Sequence, residues 1–397
     1  MQERLRSLDI FRGMTVAAMI MVNNPGSWDD DYPPLLHSQW NGCTPADLIF
    51  PFFIFIAGVA IPLSRRSRED RGATKGELAR HIGRRTLMLG ALGLLVTWFT
   101  GYDWRLPPDA TLLGSLIDHL RDWRLPGVLQ RIGLVYGAAA LMDLYGTTRS
   151  RAALGTGLLL FYWAAMTLIP VPGTGLTGLA ALDVPSATLA AYVDRGLFDW
   201  GAWGNHLWYF SVPSGTWDPE GALSTLPAIA SGLLGVAAGR WLQRPIPLQV
   251  RFSRLALAGF GGVLLGYLWD MVFPINKALW TSSFVLFTAG LAALALSALG
   301  WLADLRGIHR WAAPFKVFGV NAILAYAGDE IVGSILYKVG VIPAESGPLD
   351  LLSAFYQLII LPRFEPRDAS LIFALSMVLF WGGVLTLFYR RGIFLKL

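Results

Sequence analysis

His37, Asn41 and Asp47 sit close together in the stretch His37-Ser-Gln-Trp40-Asn41-Gly42-Cys-Thr-Pro-Ala-Asp47-Leu-Ile-Phe-Pro51, at the mouth of an apolar run. An imidazole exchanges protons near neutral pH, so it can serve as a general base or as a nucleophile. Asp47 opens the run, where an ionisable group is costly and by default suspected of function. It could orient His37 and fix its tautomer. A structural alternative stays open: Trp40 as an interfacial anchor, Asn41-Gly42 as a turn, Asp47 as a helix-start carboxylate.

The elements that must hold these groups are helices in a bilayer. Of 397 residues, 54% are hydrophobic and only 15% charged, against about a quarter charged in ordinary soluble domains. Sixteen Trp and 43 Gly fit the same class. The net charge of +5 is no nucleic-acid signal, because Lys and Arg cluster between the apolar runs and orient them. A single cysteine, Cys43, excludes an intrachain disulfide and a multi-Cys metal site, and no His–carboxylate spacing points to a metal. The first apolar run, from Leu8, reads as a retained helix rather than a signal peptide.

The expected fold is an all-α polytopic membrane protein. It has about ten transmembrane helices, both termini in the cytoplasm, and one domain over residues 1–397. The spans are placed at about 8–23, 46–63, 86–102, 125–145, a fifth ending near 170, 223–240, 255–273, 278–299, 317–336 and 369–389. The apolar stretch 351–361 is short, and reads as an external amphipathic or re-entrant helix. Residues 171–221 form a long external loop rich in Trp, Tyr and carboxylates, which suits sugar stacking or interfacial anchoring. Asp9 and Arg12, three apart near the start of the first span, read as a pair satisfying each other. Arg131, a turn inside the fourth, needs a partner or a wet cavity.

Seven blocks in order then carry a resemblance. They are Arg4-Leu-Arg6-Ser-Leu-Asp9-x-Phe-Arg12-Gly13, the His37-to-Pro51 block, Pro126-Gly-Val-Leu-Gln130-Arg131, Asp218-Pro219-Glu220-Gly221, Asn276-Lys277-x-Leu-Trp280, Asn321-x-Ile-Leu-x-Tyr326 and the Ile-Phe-Leu-Lys tail. Over nearly its whole length the chain resembles the heparan-α-glucosaminide N-acetyltransferase family, a lysosomal transmembrane enzyme and its bacterial relatives. The resemblance implies transfer of acetyl from cytoplasmic acetyl-CoA to the amine of a terminal glucosamine across the membrane. It implies a bacterial cytoplasmic (inner) membrane setting, an amino-sugar or glycan acceptor, and a homodimer by analogy.

On that reading His37 is the general base or transient acetyl carrier. Asn23 and Asn41 are amide donors to the oxyanion or positioning groups, and Asp47 orients the imidazole. The CoA phosphates would meet arginines from the pool Arg12, Arg65, Arg66, Arg84 and Arg85. Acceptor candidates are Trp217, Asp218, Glu220 and Lys277, with Trp203 and Trp208 in the same loop. Trp40, Arg131, Asn321 and Asp329 complete the set, Asp329 standing where the lysosomal relative carries a histidine. The rival reading is a sugar or amino-sugar transporter without acyl transfer, since Asp9, Arg12, Arg131 and Asp329 would equally mark a transport path. A scaffolding protein without CoA binding is the third.

Overall fold

The computed structural model describes residues 5–102, 111–121, 123–200, 217–338, 340–342 and 349–395. The chain is helical almost throughout: α1 (Arg6–Asn23), a 3-10 turn (Pro45–Leu48) leading into α2 (Ile49–Glu69), α3 (Lys75–Gly101), α4 (Leu112–Arg121), α5 (Val128–Tyr145) and α6 (Thr148–Leu168). There follow α7 (Gly178–Leu182), α8 (Leu189–Phe198), α9 (Ala222–Leu242), α10 (Leu248–Asp270) and α11 (Ser282–Leu299), the last extended by a π-turn to Leu305. The chain closes with α12 (Ala313–Val320), α13 (Ala322–Lys338), α14 (Leu351–Ala354) and α15 (Pro366–Arg390).

Seven of these stretches are long and apolar enough to cross a membrane: Pro45–Glu69, Lys75–Gly101, Thr148–Leu168, Ala222–Leu242, Leu248–Asp270, Ser282–Leu305 and Pro366–Arg390. The protein is a multi-pass membrane protein. The expected spans at 8–23, 125–145 and 317–336 fall short of that measure for local reasons. α1 carries Arg6, Asp9 and Arg12; α5 carries Arg131 and Asp143; the third is broken at Asn321 into α12 and α13. Outward faces remain apolar, as on α10, where Leu257, Phe260, Leu264 and Leu268 are exposed. In water such a face would be a liability; against lipid it is the ordinary solvent contact.

Helix contacts that face no water depend on close backbone approach. α2 and α9 meet at Gly58 and Gly235: a Cβ on Gly58 would lie 2.3 Å from the Gly232 carbonyl oxygen, and one on Gly235 2.3 Å from that of Phe55. Any larger residue at either position would push the two helices apart.

Two details add to the expected all-α fold. One short pairing of strands interrupts the helices, Gly340–Ile342 running antiparallel to Leu349–Asp350 with Gly340 opposite Asp350 and Ile342 opposite Leu349. Within the loop 171–221, residues 178–198 fold as α7, a 3-10 turn at Pro185–Ala187 and α8. Pro185 at a helix start and Thr188, whose hydroxyl accepts the Ala191 N–H at 3.1 Å, are ordinary start signals that a loop reading passes over. Trp203 and Trp208 lie outside the described residues. The short stretch Leu351–Arg363 is indeed helical; it buries Leu352, Tyr356 and Ile360 with residues of α1 and α15 and exposes Leu351, Leu358 and Ile359.

Candidate active site

The loop between α1 and α2 is tied together by one carboxylate. Asp47, the third residue of the 3-10 turn, has a fully buried side chain, while His37 is 41% exposed. Oδ2 of Asp47 accepts the backbone N–H groups of Ser38 and Thr44, both at 3.0 Å. Its Oδ1 lies 2.9 Å from His37 Nδ1. A carboxylate accepts only, so the proton of that bond sits on Nδ1 and the lone pair of Nε2 points away. The same oxygen pair therefore closes the 37–47 loop and sets the imidazole tautomer. The helix-start and the histidine-orienting readings of Asp47 describe one arrangement.

A second loop, between α10 and α11, presses Lys277 against this pair. Its Nζ lies 3.0 and 3.2 Å from the two ring nitrogens of His37 and 3.5 Å from Asp47 Oδ1. With Nδ1 already carrying a proton, the donor–acceptor contact that makes chemical sense is Nζ–H to Nε2. Burial lowers the Lys277 pKa, opposed by Asp47 and then Glu220. The loop is rigid because Asn276 is fully used. Its N–H donates to Thr281 Oγ1 (3.0 Å), its Oδ1 accepts from Leu279 N (2.9 Å), and its Nδ2 donates to Asn41 Oδ1 (3.1 Å).

Gly42 joins the two loops. Its N–H donates to the Ile275 carbonyl at 2.7 Å, and its φ of +105° is backbone that L side chains rarely adopt. Gly42→Ala is expected to cost about 1–3 kcal/mol of stability and to lower activity by slackening the hold of His37 on Lys277. Gly72, at φ +88° in the turn after α2, is the control: an alanine there is expected to cost similar stability with activity unchanged. Thermal melts and turnover on both variants check the contrast.

One cavity of about 820 Å³ is lined by His37, Asp47 and Lys277 at one end and by Arg12, Arg65, Arg68 and Arg85 at the other. It follows one face of α2, touched at Ile49, Phe53, Ile56, Ala60, Ser64 and Arg68. These steps of three and four residues are the helical repeat, and the rise of 1.5 Å per residue makes the path about 28 Å long. That approaches the roughly 30 Å hydrocarbon thickness of a bilayer. α1, α3 and α5 line it in the same periodic way. Its middle is apolar and its two ends are polar.

The other sequence candidates divide. Asn23, exposed at the end of α1, Trp40, Trp217 and Glu220 line the cavity near His37. Trp40 is fixed by an indole N–H to the Leu182 carbonyl (2.7 Å) and packs edge-on against Trp217. Arg12, Arg65 and Arg85 line the far end, whereas Arg66 and Arg84 are exposed and off the cavity. Arg12 also lies 3.7 Å from Asp9. Arg65 is shared with Asp143 (3.1 Å) and Glu69 (3.2 Å), and Asp143 in turn pairs with Arg240. Arg85 stacks over Tyr136, and its buried Nε has no hydrogen-bond partner among the described residues.

Five candidates do structural work away from the cavity. Asn41 bonds Asn276, as above, and reaches Asp183 at 3.5 Å. Arg131 is completely buried; it donates to the Gly221 carbonyl (3.1 Å) and Ser224 Oγ and lies over the Trp280 ring. The partner found for it is the start of α9. Asp218 takes a two-pronged bond from Arg124 (2.9 and 2.8 Å), which also pairs with Glu220. Asn321 holds the tail through Ile393 O and Leu395 N, both at 3.2 Å. Asp329 accepts from Asn24 Nδ2 at 2.9 Å, buried between α1 and α13. Sequence reasoning passed over Arg68 and Arg124. Arg68 falls on the lining face of α2, and Arg124 lies two residues before Pro126; both were visible as charges in the sequence.

A family model described as heparan-alpha-glucosaminide N-acetyltransferase, catalytic, matches residues 4–264, a stretch that includes His37, Asp47 and every cavity arginine. The chain belongs to the heparan-α-glucosaminide N-acetyltransferase family. It is 32% identical over 373 residues to the heparan-alpha-glucosaminide N-acetyltransferase of Homo sapiens, covering 83% of this chain and 53% of the human protein. The Mus musculus protein of the same description is 32% identical over 374 residues, covering 83% and 54%. The chain thus spans about half the length of the curated relatives it matches. Lys277 lies beyond the family-model match.

Proposed function

We propose that this member of the family transfers acetyl from acetyl-CoA, bound from the cytoplasmic side, to the amine of a glucosamine-like sugar at the opposite face of a bacterial cytoplasmic membrane. The observation that carries this reading is one continuous cavity with arginines at one end and a carboxylate-oriented imidazole at the other. A CoA molecule fits that chemistry: Arg12, Arg68 and Arg85 would hold phosphates, and the apolar walls of α2 and α5 suit a slender thioester arm. Acetyl-CoA supplies the activated acyl group, and the chain's residues do the rest. Asp47 keeps the His37 proton on Nδ1, so Nε2 is the atom that accepts a proton from the acceptor amine or takes the acetyl itself. The Asn23 carboxamide, at the cavity's reactive end, is the candidate donor to the developing oxyanion.

The orientation follows from the charges. α1, α5 and the α12–α13 pair complete the seven longer helices to ten spans, with both termini cytoplasmic, in one catalytic domain over residues 1–397. A homodimer is the family expectation.

Purified protein in detergent is expected to release free CoA from acetyl-CoA only when glucosamine is added, with N-acetylglucosamine formed in equal amount. Counterflow of intact sugar without CoA release would instead make the protein a transporter.

A further inference from the structure

We propose that Lys277 is the base that takes the proton from the incoming acceptor ammonium. The inference deepens the acetyl-transfer reading and rests on it. An amino sugar arrives largely as R–NH3+, which has no lone pair for attack. His37 cannot serve every proton at once. If it carries the acetyl on Nε2, its other nitrogen already bears the proton shared with Asp47 Oδ1, 2.9 Å away. If the transfer is direct, Nε2 is needed to move a proton toward the departing thiolate. A second base is required in both cases.

Lys277 is built to be that base. Its Nζ lies 3.2 Å from Nε2, and the side chain lines the cavity beside Glu220 and Trp217. A neutral amine in this position can still donate one N–H to Nε2 while offering its lone pair to the acceptor. Burial favours the neutral form. The groups facing it are His37 and Asp47 from the first loop, Glu220 from the start of α9, and the thiol of Cys43, which burial pushes up to about 12 and so keeps protonated. Asp47 Oδ1, 3.5 Å from Nζ, steadies the ammonium once the proton has arrived.

The protons and bonds then balance. An N–H bond of R–NH3+ breaks and an N–H bond forms on Lys277. The freed amine attacks the acetyl carbon; its C–N bond forms while the C–S bond, or the C–Nε2 bond of an acetylated His37, breaks and that electron pair leaves with sulfur or nitrogen. In direct transfer the second amine proton goes through Nε2 to the thiolate. In the covalent case the C–S electron pair leaves earlier as thiolate, which takes a proton from water, and the second amine proton rests on Nε2 until it returns to water in exchange. The net proton resides on Lys277 and is released to the acceptor side.

The test compares Lys277→Met, Lys277→Gln and Lys277→Arg with the wild type, using acetyl-CoA and glucosamine across a pH series. Retained folding is checked by thermal stabilisation on adding acetyl-CoA. Loss of kcat by about 10²-fold or more is expected in all three. The deficit should narrow as pH rises and the sugar arrives uncharged, with the KM for acetyl-CoA unchanged. Arginine retains the charge and cannot take the proton, so Lys277→Arg at wild-type kcat would overturn the proposal in favour of a fixed cation. A deficit independent of pH would overturn it in favour of simple packing. A wild type that releases no CoA with glucosamine would sink the acetyl-transfer reading itself, a different failure.

Discussion

His37→Ala is expected to lower acetyl transfer by about 10²–10⁴-fold while leaving a folded, membrane-inserted protein. The folding half of that expectation follows from the bonds left behind. Asp47 keeps the N–H groups of Ser38 and Thr44 and has the Lys277 amine 3.5 Å away, so its buried charge is not stranded. The imidazole is itself 41% exposed, so its removal opens no internal cavity. Asp47→Asn is the companion variant and should be nearly as inactive for another reason. A carboxamide can accept the loop N–H groups only by turning its NH2 toward His37, which favours the tautomer with the proton on Nε2 and removes the reactive lone pair. Because that variant also weakens two loop bonds, it should melt earlier than His37→Ala. Turnover with acetyl-CoA and glucosamine, alongside thermal melts, measures both. Full turnover by His37→Ala would remove the imidazole from the chemistry.

The placement of Asp47 against His37 was legible because both lie at one end of one apolar run, ten residues apart, with turn-forming Asn41-Gly42 between them. Partners distant in sequence were not. Arg131 announces that it needs a partner, but that partner is a backbone carbonyl ninety residues on, at Gly221. The apolar run through 317–336 gives no sign that Asn321 interrupts it, because the reason is a clamp on Ile393 and Leu395 at the far end of the chain. Lys277 reads as one charge in an outer turn. Its position against His37 depends on the Gly42–Ile275 bond between two loops more than two hundred residues apart.

The cavity was the least legible feature, for a physical reason. A side chain facing lipid and one facing an apolar passage meet the same demand, so Ile49, Phe53 and Ile56 look like any other part of a span. Only the run of arginines at the C-terminal end of α2 hinted at a polar face. Arg65 and Arg68 lie on the helical stripe begun by Ile49, whereas Arg66 points elsewhere. The periodicity was in the sequence, but nothing local said which stripe mattered. The same ambiguity explains the span count. Hydropathy passes even the largely buried α2 and α9, and marks down α1 and α5, whose charges are spent on the cavity or on buried pairs.

The passage can be closed without touching either polar end. Ala57 lines the cavity near the middle of α2 and lies only partly buried. A larger side chain there grows into open space rather than into packed helix, so overpacking should cost little. Ala57→Trp places an indole across the route between Arg85 and His37. Turnover with acetyl-CoA is expected to fall by about 10²-fold or more, since even a small displacement of the reacting carbon costs that much. A short acetyl thioester, acetyl-cysteamine, needs no passage, for it can approach His37 from the acceptor side. Its reaction with glucosamine should survive in Ala57→Trp and be lost in His37→Ala. That crossed pattern separates a blocked route from a damaged site. Unchanged acetyl-CoA turnover in folded Ala57→Trp would mean that the acetyl group reaches the imidazole some other way. The cavity along α2 would then be no conduit, and the assignment of its arginines to CoA would fall with it.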